Sequence, residues 1–238
     1  MNSVDHANPI GYSVTLAEIL HDPELRLDAE HYDPNVESNM EILQRSGFEL
    51  VPLSKLAALK LPSQFTRVWA RDSAHGFPYL NATDLMSWAA FGVPALERYL
   101  SKASDVDFDN LVIREKWILM TCSGTIGRVF EVPPALDGWI ATHDIIRIVP
   151  NDDGLRGYIK AFLCSRFAQT QILKHTHGGQ IDHITDVQLG TCLVPLFEDS
   201  EMRRISAVVD RAESLRQEAS VRFADAIIDI TKGLTRDG

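Results

Sequence analysis

From Glu198 to about Lys232 the chain has no internal glycine or proline and carries charges of both signs. Apolar residues recur there at steps of three and four: Ile205, Val208, Val209, Ala212, Leu215, Ala219, Phe223, Ala226, Ile227 and Ile230. That period lines one stripe of an α-helix, and at ~1.5 Å per residue the segment makes a rod of about 50 Å. A rod of that length exceeds what a small domain needs for its own core. The stripe either folds back on its own domain or meets another helix in part. The length favours a partner helix, with Ile205, Val208, Ala212, Leu215, Ala219, Phe223, Ile227 and Ile230 as the contact positions.

The chain before this rod has a different texture. Residues 1–47 are polar and turn-rich, an arm leading into a short helix near 35–46 with Pro34 suited to the first turn. From 48 to 197, short apolar runs read as strands: Val112-Ile113, Trp117-Ile118-Leu119-Met120, Val129-Phe130-Glu131-Val132 and Ile145-Ile146-Arg147-Ile148-Val149. Turns at Gly124, Gly127, Pro133-Pro134, Asp137-Gly138 and 151–154 separate them. Residues 155–174 carry apolar positions at helical spacing and predict one helix packed on the sheet. The expectation is a mixed α/β (α+β) domain with a twisted sheet, an arm at 1–47 and a long coiled-coil-type helix at 198–234.

The chain has 238 residues and a formal net charge of -10. Residues 1–50 hold 10 acidic and 2 basic side chains, so most of the excess lies in one segment, and the average does not exclude an anionic partner. The 3 cysteines, Cys122, Cys164 and Cys192, stand apart among apolar residues with no C-x-x-C pair, which points to a reducing compartment. No apolar run approaches the ~20 residues of a bilayer span, so a cytoplasmic protein without membrane contact is expected.

Few constellations offer chemistry of their own. Gly124-Thr125-Ile126-Gly127 is too short for a phosphate-binding loop and reads as a hairpin turn. Cys122 could serve as a nucleophile with His143 as base and Asp144 nearby, though it ends an apolar strand where buried thiols are common. His175, His177, Asp182 and His183 could hold zinc, making a small Cys- or metal-dependent enzyme one alternative. The same segment, with Lys174, Gly178-Gly179 and Gln180, equally suits a loop that approaches a nucleic acid. A second polar stretch, 60–71, lies in the one fifty-residue block with net positive charge. There Arg67 and Arg71 could read guanine or hold phosphates, Gln64 could pair with adenine, and Phe65 or Trp69 could pack on a base or sugar. An exposed basic loop with its aromatics in the core is the equal alternative.

The order of these segments resembles the specificity (S) subunit of type I restriction and modification enzymes. The resemblance is carried by Arg26-Leu27-Asp28-Ala29-Glu30-His31-Tyr32-Asp33-Pro34, by Leu53-Ser54-Lys55-Leu56, and by Tyr79-Leu80-Asn81-Ala82-Thr83-Asp84-Leu85 as a strand and turn. It continues through Trp117 to Gly127, Gly178-Gly179, Ile184, Leu189 and Val194-Pro195-Leu196, ahead of the long helix. Family members usually carry two recognition domains and two long helices in a chain about twice this length, whereas here there is one of each. After Val194-Pro195-Leu196 the chain reads Phe197-Glu198-Asp199-Ser200-Glu201, where the family often has Pro and a Glu-Gln pair.

The resemblance implies a noncatalytic, half-sized DNA-specificity subunit with its target recognition domain at 48–197. It would read double-stranded DNA through Lys60, Ser63, Gln64, Arg67 and Arg71 on one loop and Lys174, His175, His177 and Gln180 on the other. It would dimerise through the helix and recruit methyltransferase subunits and, where present, a nuclease-translocase. It would bind no cofactor or metal itself; S-adenosylmethionine, ATP and Mg2+ would belong to the partners. The acidic arm is expected to lie away from both loops and to dock on a basic subunit. An acidic scaffold or antagonist that mimics DNA is the remaining alternative.

Overall fold

The structure, a computed structural model, describes residues 11, 13–21, 25, 27, 29–92, 98–176 and 183–235. In chain order the elements are α1 (Leu16–His21), α2 (Pro34–Arg45), β1 (Glu49–Pro52), α3 (Leu53–Leu56), β2 (Ala57–Lys60), β3 (Trp69–Ala70), β4 (Gly76–Leu80) and α4 (Ala82–Phe91). There follow β5 (Tyr99–Ser101), α5 (Phe108–Leu111), β6 (Ile118–Thr121), β7 (Val129–Glu131), β8 (Ile140–Ala141), β9 (Ile145–Pro150), α6 (Arg156–Cys164) and α7 (Arg166–His175). The last are α8 (Asp186–Gly190), β10 (Leu193–Leu196) and α9 (Asp199–Thr235). Among the described residues no helix is long and apolar enough to cross a membrane.

Two four-stranded sheets form the centre. One has the order β2-β9-β6-β7 and is antiparallel throughout; the other is β3-β5-β4-β8, with β4 and β8 parallel. Alternation along β6 and β9 shows why the first sheet lies in the middle. Ile118, Met120, Ile146 and Ile148 face a core built with Tyr158, Ile159, Leu163 and Ile172 of α6 and α7. Leu119 and Ile145 face the other way, into a core with Leu80, Leu85, Ile113, Phe130 and Leu136. Burial on both faces is what a continuous apolar run in a strand requires. The β1–β10 pair, Glu49 to Leu196 at its outer register, brings the two ends of this domain together.

On the second face, Arg147 replaces a core hydrophobe. It is fully buried, and its guanidinium donates to the carbonyls of Thr142 (2.9 Å), Ile145 (2.6 Å), Leu111 (2.9 Å) and Ala141 (2.7 Å). Burial lowers its pKa to about 10, so it remains a cation at neutral pH.

Several local expectations change. The helix expected over 155–174 is two helices, because Ser165 takes an extended conformation (ψ 156) and its side chain accepts from Ala168 N as the cap of α7. Val112 forms only an isolated bridge with Ile140, following the short α5. The turn expected after Leu80 is α4, started by a capping box in which Asn81 and Asp84 bond each other's backbone N–H.

The long helix α9 has two faces. Its inner face meets α6 where Gly157 leaves room: a Cβ there would lie 2.5 Å from Ser206 O and 2.7 Å from Ser206 Cα. Tyr158 N donates to Ser206 Oγ at 2.9 Å across the same contact. A second seat forms where Gly92, in the left-handed region at φ 70° after α4, abuts Ser220. Between the seats, Arg156 pairs with Asp210 (2.7 Å) and Lys160 with Glu213 (2.8 Å). Both cations also face the buried Glu131, at 3.5 and 3.7 Å, whose carboxyl burial pushes above its usual range. Ile205 packs against the core and therefore does not stand on the outer stripe. Val208, Ala212, Leu215, Ala219, Phe223, Ile227 and Ile230 remain exposed, with the Phe223 ring 6.0 Å from Phe91.

Gly157→Val should lower stability by about 1–3 kcal/mol through forced separation of the helices, read as a lower urea midpoint at unchanged m-value. Arg147→Met, which leaves several buried carbonyls without donors, should cost at least about 3 kcal/mol in the same titration.

Candidate nucleic-acid interface

Lys60 ends β2, and its Nζ approaches Asp109 O at 3.5 Å. The chain then leaves the sheet as a coil from 61 to 68, with Ser63 and Gln64 exposed, before the two-residue β3 edge strand. Leu61 N donates to Asp186 Oδ2 (3.2 Å), which anchors the start of this loop on α8. Phe65 is half-buried, edge-on to His143 at 5.5 Å.

Arg67 is held on several sides. Its Nε donates to Tyr79 Oη at 2.7 Å, and Nη2 donates to Thr142 Oγ1 at 3.1 Å and lies 3.5 Å from Asp144 Oδ2. Thr142 Oγ1 donates in turn to Asp144 Oδ2 (3.0 Å), leaving its lone pairs toward Arg67. The guanidinium also lies over the Phe65 ring, 5.8 Å from its centroid. Arg71 is much freer: its side chain is 89% exposed, with only a 3.4 Å contact to Asp72 among the described residues. Trp69, 47% exposed, stands edge-on to Tyr79 (5.1 Å) under the Arg98 guanidinium (5.8 Å). Lys102, over Phe77 and bonded to Ala74 O (2.9 Å), adds another cation to this sheet.

The second loop is only partly described. His177 and Gln180 fall outside the described residues, as do Gly178-Gly179 and Asp182. Beyond them, His183 bridges to Ser123, Ile184 N donates to Cys122 O (3.0 Å), and Cys122 N donates to Asp144 O (3.1 Å). The far end of the second loop is thereby linked through Cys122 to the backbone of Asp144, whose carboxylate lies beside Arg67. The near end is elsewhere: Lys174 O accepts from His31 Nδ1 (2.9 Å), and His175 Nε2 lies 3.3 Å from Thr191 Oγ1. His31 belongs to the arm. Its 3-10 turn Ala29–Tyr32 packs at the root of the second loop, which corrects the expectation that the arm lies away from both loops. The turn docks there because His31 is buried and finds a carbonyl at the α7 terminus.

The arrangement offers donors for phosphates and base edges, plus one exposed indole for stacking. It is poorly suited to thiol chemistry. Burial pushes the Cys122 thiol up to about 12, with Asp144 adding to the shift, and burial lowers the pKa of His143. Among the described residues no group of three His, Cys, Asp or Glu could hold a metal ion. Sequence reasoning missed Arg98, Thr142 and the link from Tyr79 and Asp144 to Arg67. Tyr79 lay inside a quoted motif, but nothing local tied it to Arg67.

No protein-family model matches the sequence, and no curated protein does. Solved structures match by fold. The HsdS subunit from Thermoanaerobacter tengcongensis is 15% identical with a TM-score of 0.50, covering 80% of this chain and 46% of that one. The S subunit of a type I restriction-modification system from M. genitalium is 12% identical with a TM-score of 0.50, covering 79% and 44%. A chain from a study of assembly and conformational transition of the type I R-M system is 14% identical with a TM-score of 0.51, covering 83% and 50%. This chain thus shares the mixed α+β fold with a long helix of those solved structures and spans about half their length.

Burial raises all three thiols, Cys122 and Cys192 to about 12, but Cys164 is exposed, so a thiol reagent at pH 8 should modify Cys164 and spare the buried Cys122 and Cys192. Intact-mass spectrometry should count one adduct in native protein and one per cysteine after denaturation; rapid native labelling of Cys122 would reinstate the nucleophile.

Proposed function

We propose that the protein is a DNA-specificity subunit of a type I restriction and modification system, noncatalytic itself, that reads a DNA half-site and recruits the methyltransferase. The observation that carries this is the likeness of fold to S subunits about twice as long, in a chain whose helix keeps an exposed apolar stripe. In this reading residues 1–47 form an arm, 48–197 the recognition domain, and 198–234 the spacer. Lys60, Ser63, Gln64, Arg67 and Arg71 contact double-stranded DNA from the first loop, and Lys174, His175, His177 and Gln180 from the second.

The outer stripe of α9 pairs with the same stripe of a second copy. Antiparallel pairing of two copies carries the two recognition domains to opposite ends, and an isologous dimer reads a palindromic, bipartite target with a spacer fixed by helix length. The methyltransferase subunits supply S-adenosylmethionine and the methyl transfer; a nuclease-translocase, where present, supplies ATP and Mg2+ chemistry. The place of action is the cytoplasm, where such partners and DNA meet. With a net charge of -10, the isolated subunit should bind DNA weakly and with strong salt dependence.

Co-purification from the native host followed by methylome mapping should return a methyltransferase and one bipartite methylated sequence. Recovery of neither would defeat the proposal. Leu215→Glu, a charge on the outer stripe, should convert dimers to monomers by light scattering while leaving the urea midpoint of the domain unchanged; dimers that persist would remove the helix pairing.

A further inference from the structure

We infer that Arg67 reads a guanine in the major groove and that Tyr79, Thr142 and Asp144 are positioning residues that aim it; this rests on the DNA-reading function proposed above. Arg67 and Arg71 are close in sequence yet differ in how they are held. Arg71 is 89% exposed and, among the described residues, touches only its neighbour Asp72, a state suited to a mobile phosphate contact. Arg67 has lost most of its freedom before any ligand arrives. Tyr79 Oη takes Nε (2.7 Å), and Thr142 Oγ1 (3.1 Å) with Asp144 Oδ2 (3.5 Å) takes one side of Nη2.

Those contacts fall on Nε and Nη2. Among the described residues Nη1 has no hydrogen-bond partner, and the side chain is 36% exposed, so an N–H of Nη1 beside one of Nη2 is left as a parallel pair of donors. A bidentate pair of donors matches O6 and N7 of guanine, and freezing the fork beforehand removes an entropy cost that a free arginine would meet on binding. The holders are themselves fixed. Tyr79 is buried and pairs edge-on with Trp69 at 5.1 Å, while Thr142 is buried with its hydroxyl committed to Asp144 at 3.0 Å. A carboxylate beside the guanidinium also disfavours a second anion there, which turns Arg67 from the phosphate backbone toward a base edge. A purely structural ion pair would not need a neutral tyrosine hydroxyl on Nε, nor a side chain left 36% exposed.

The test is selection of the full 238-residue chain on a library of random DNA duplexes, then titration of the enriched duplex, its single-base variants and bulk non-specific duplex at several salt concentrations. Wild type should enrich a site with at least one strongly specified guanine. Arg67→Lys, which keeps the charge but not the fork, should lose about tenfold or more of the preference at that one position, with the salt slope and non-specific affinity unchanged. Tyr79→Phe and Asp144→Asn should weaken the same position and no other. If Arg67→Lys left every position of the enriched site as in wild type, or if Tyr79→Phe weakened all duplexes alike, Arg67 and its holders would be structural and the inference wrong. If wild type enriched no site, either alone at low salt or with the methyltransferase recovered from its host, the DNA-reading function would fail and this inference with it. Asp144→Asn, at a half-exposed residue, keeps the comparison decisive should loss of the Tyr79 hydroxyl disturb folding.

Discussion

The buried guanidinium of Arg147 is the joint on which the molecule turns. Its strand, β9, sits inside the sheet that faces the helices, while its side chain points into the other layer and gathers carbonyls from Leu111, Ala141, Thr142 and Ile145. Placing a charge in an apolar interior is costly. Here converging main-chain dipoles offset the loss of water, and only a planar fork can meet so many acceptors at once. The result is a directional tie between the two sheets, where apolar packing alone would permit sliding. Arg147 also holds the backbone of Thr142, whose hydroxyl in turn holds Arg67 at the surface. A buried cation thereby helps place an exposed one.

The same logic continues on the other side of the first sheet. Helix α6 packs on it, and α9 crosses α6 at a point where Gly157 and Ser206 let the backbones approach within a distance no larger pair would permit. The cations of α6 then engage Asp210 and Glu213 of α9 beside the buried Glu131. Such pairs contribute little stability net of desolvation, but they are intolerant of register shifts. From Arg147 to Arg67, and from α6 to α9, the links are polar contacts of fixed direction, while α6 itself rests on the sheet by apolar packing.

What could be read from sequence divides along physical lines. The 3.6-residue period after Glu198 and the signal of Pro34 marked α9 and α2 within a residue or two, because those patterns are local. The hairpin of β6 and β7 was legible from its apolar runs and its glycines at φ 68° and 81°. Ser165 was overlooked because the apolar spacing continues across it, although a serine cap can split a helix without disturbing that spacing. Asn81 and Asp84 carried a readable capping signal that family resemblance obscured with a turn. Arg147, within Ile-Ile-Arg-Ile-Val, looks like an outward residue of an alternating strand; its acceptors are backbone atoms that leave no trace in the sequence. The loop 60–71 was marked out by charge and aromatics, but the surroundings of Arg67 and Arg71 separate only once Tyr79, Thr142 and Asp144 are brought beside one of them.

The two glycine–serine seats have an implication for how this chain can vary. Ser206 and Ser220 lie about four helical turns apart, so both meet the domain on one face and the rotation of α9 about its own axis is locked. Past Ser220 the helix is a spoke whose azimuth is inherited from that lock. Gaining or losing a single residue there would swing every later side chain by about 100° around the axis, while a change near seven residues would restore its bearing. Length changes in the distal helix should consequently be accepted in near-heptad steps, as threads on a screw rather than as increments on a ruler.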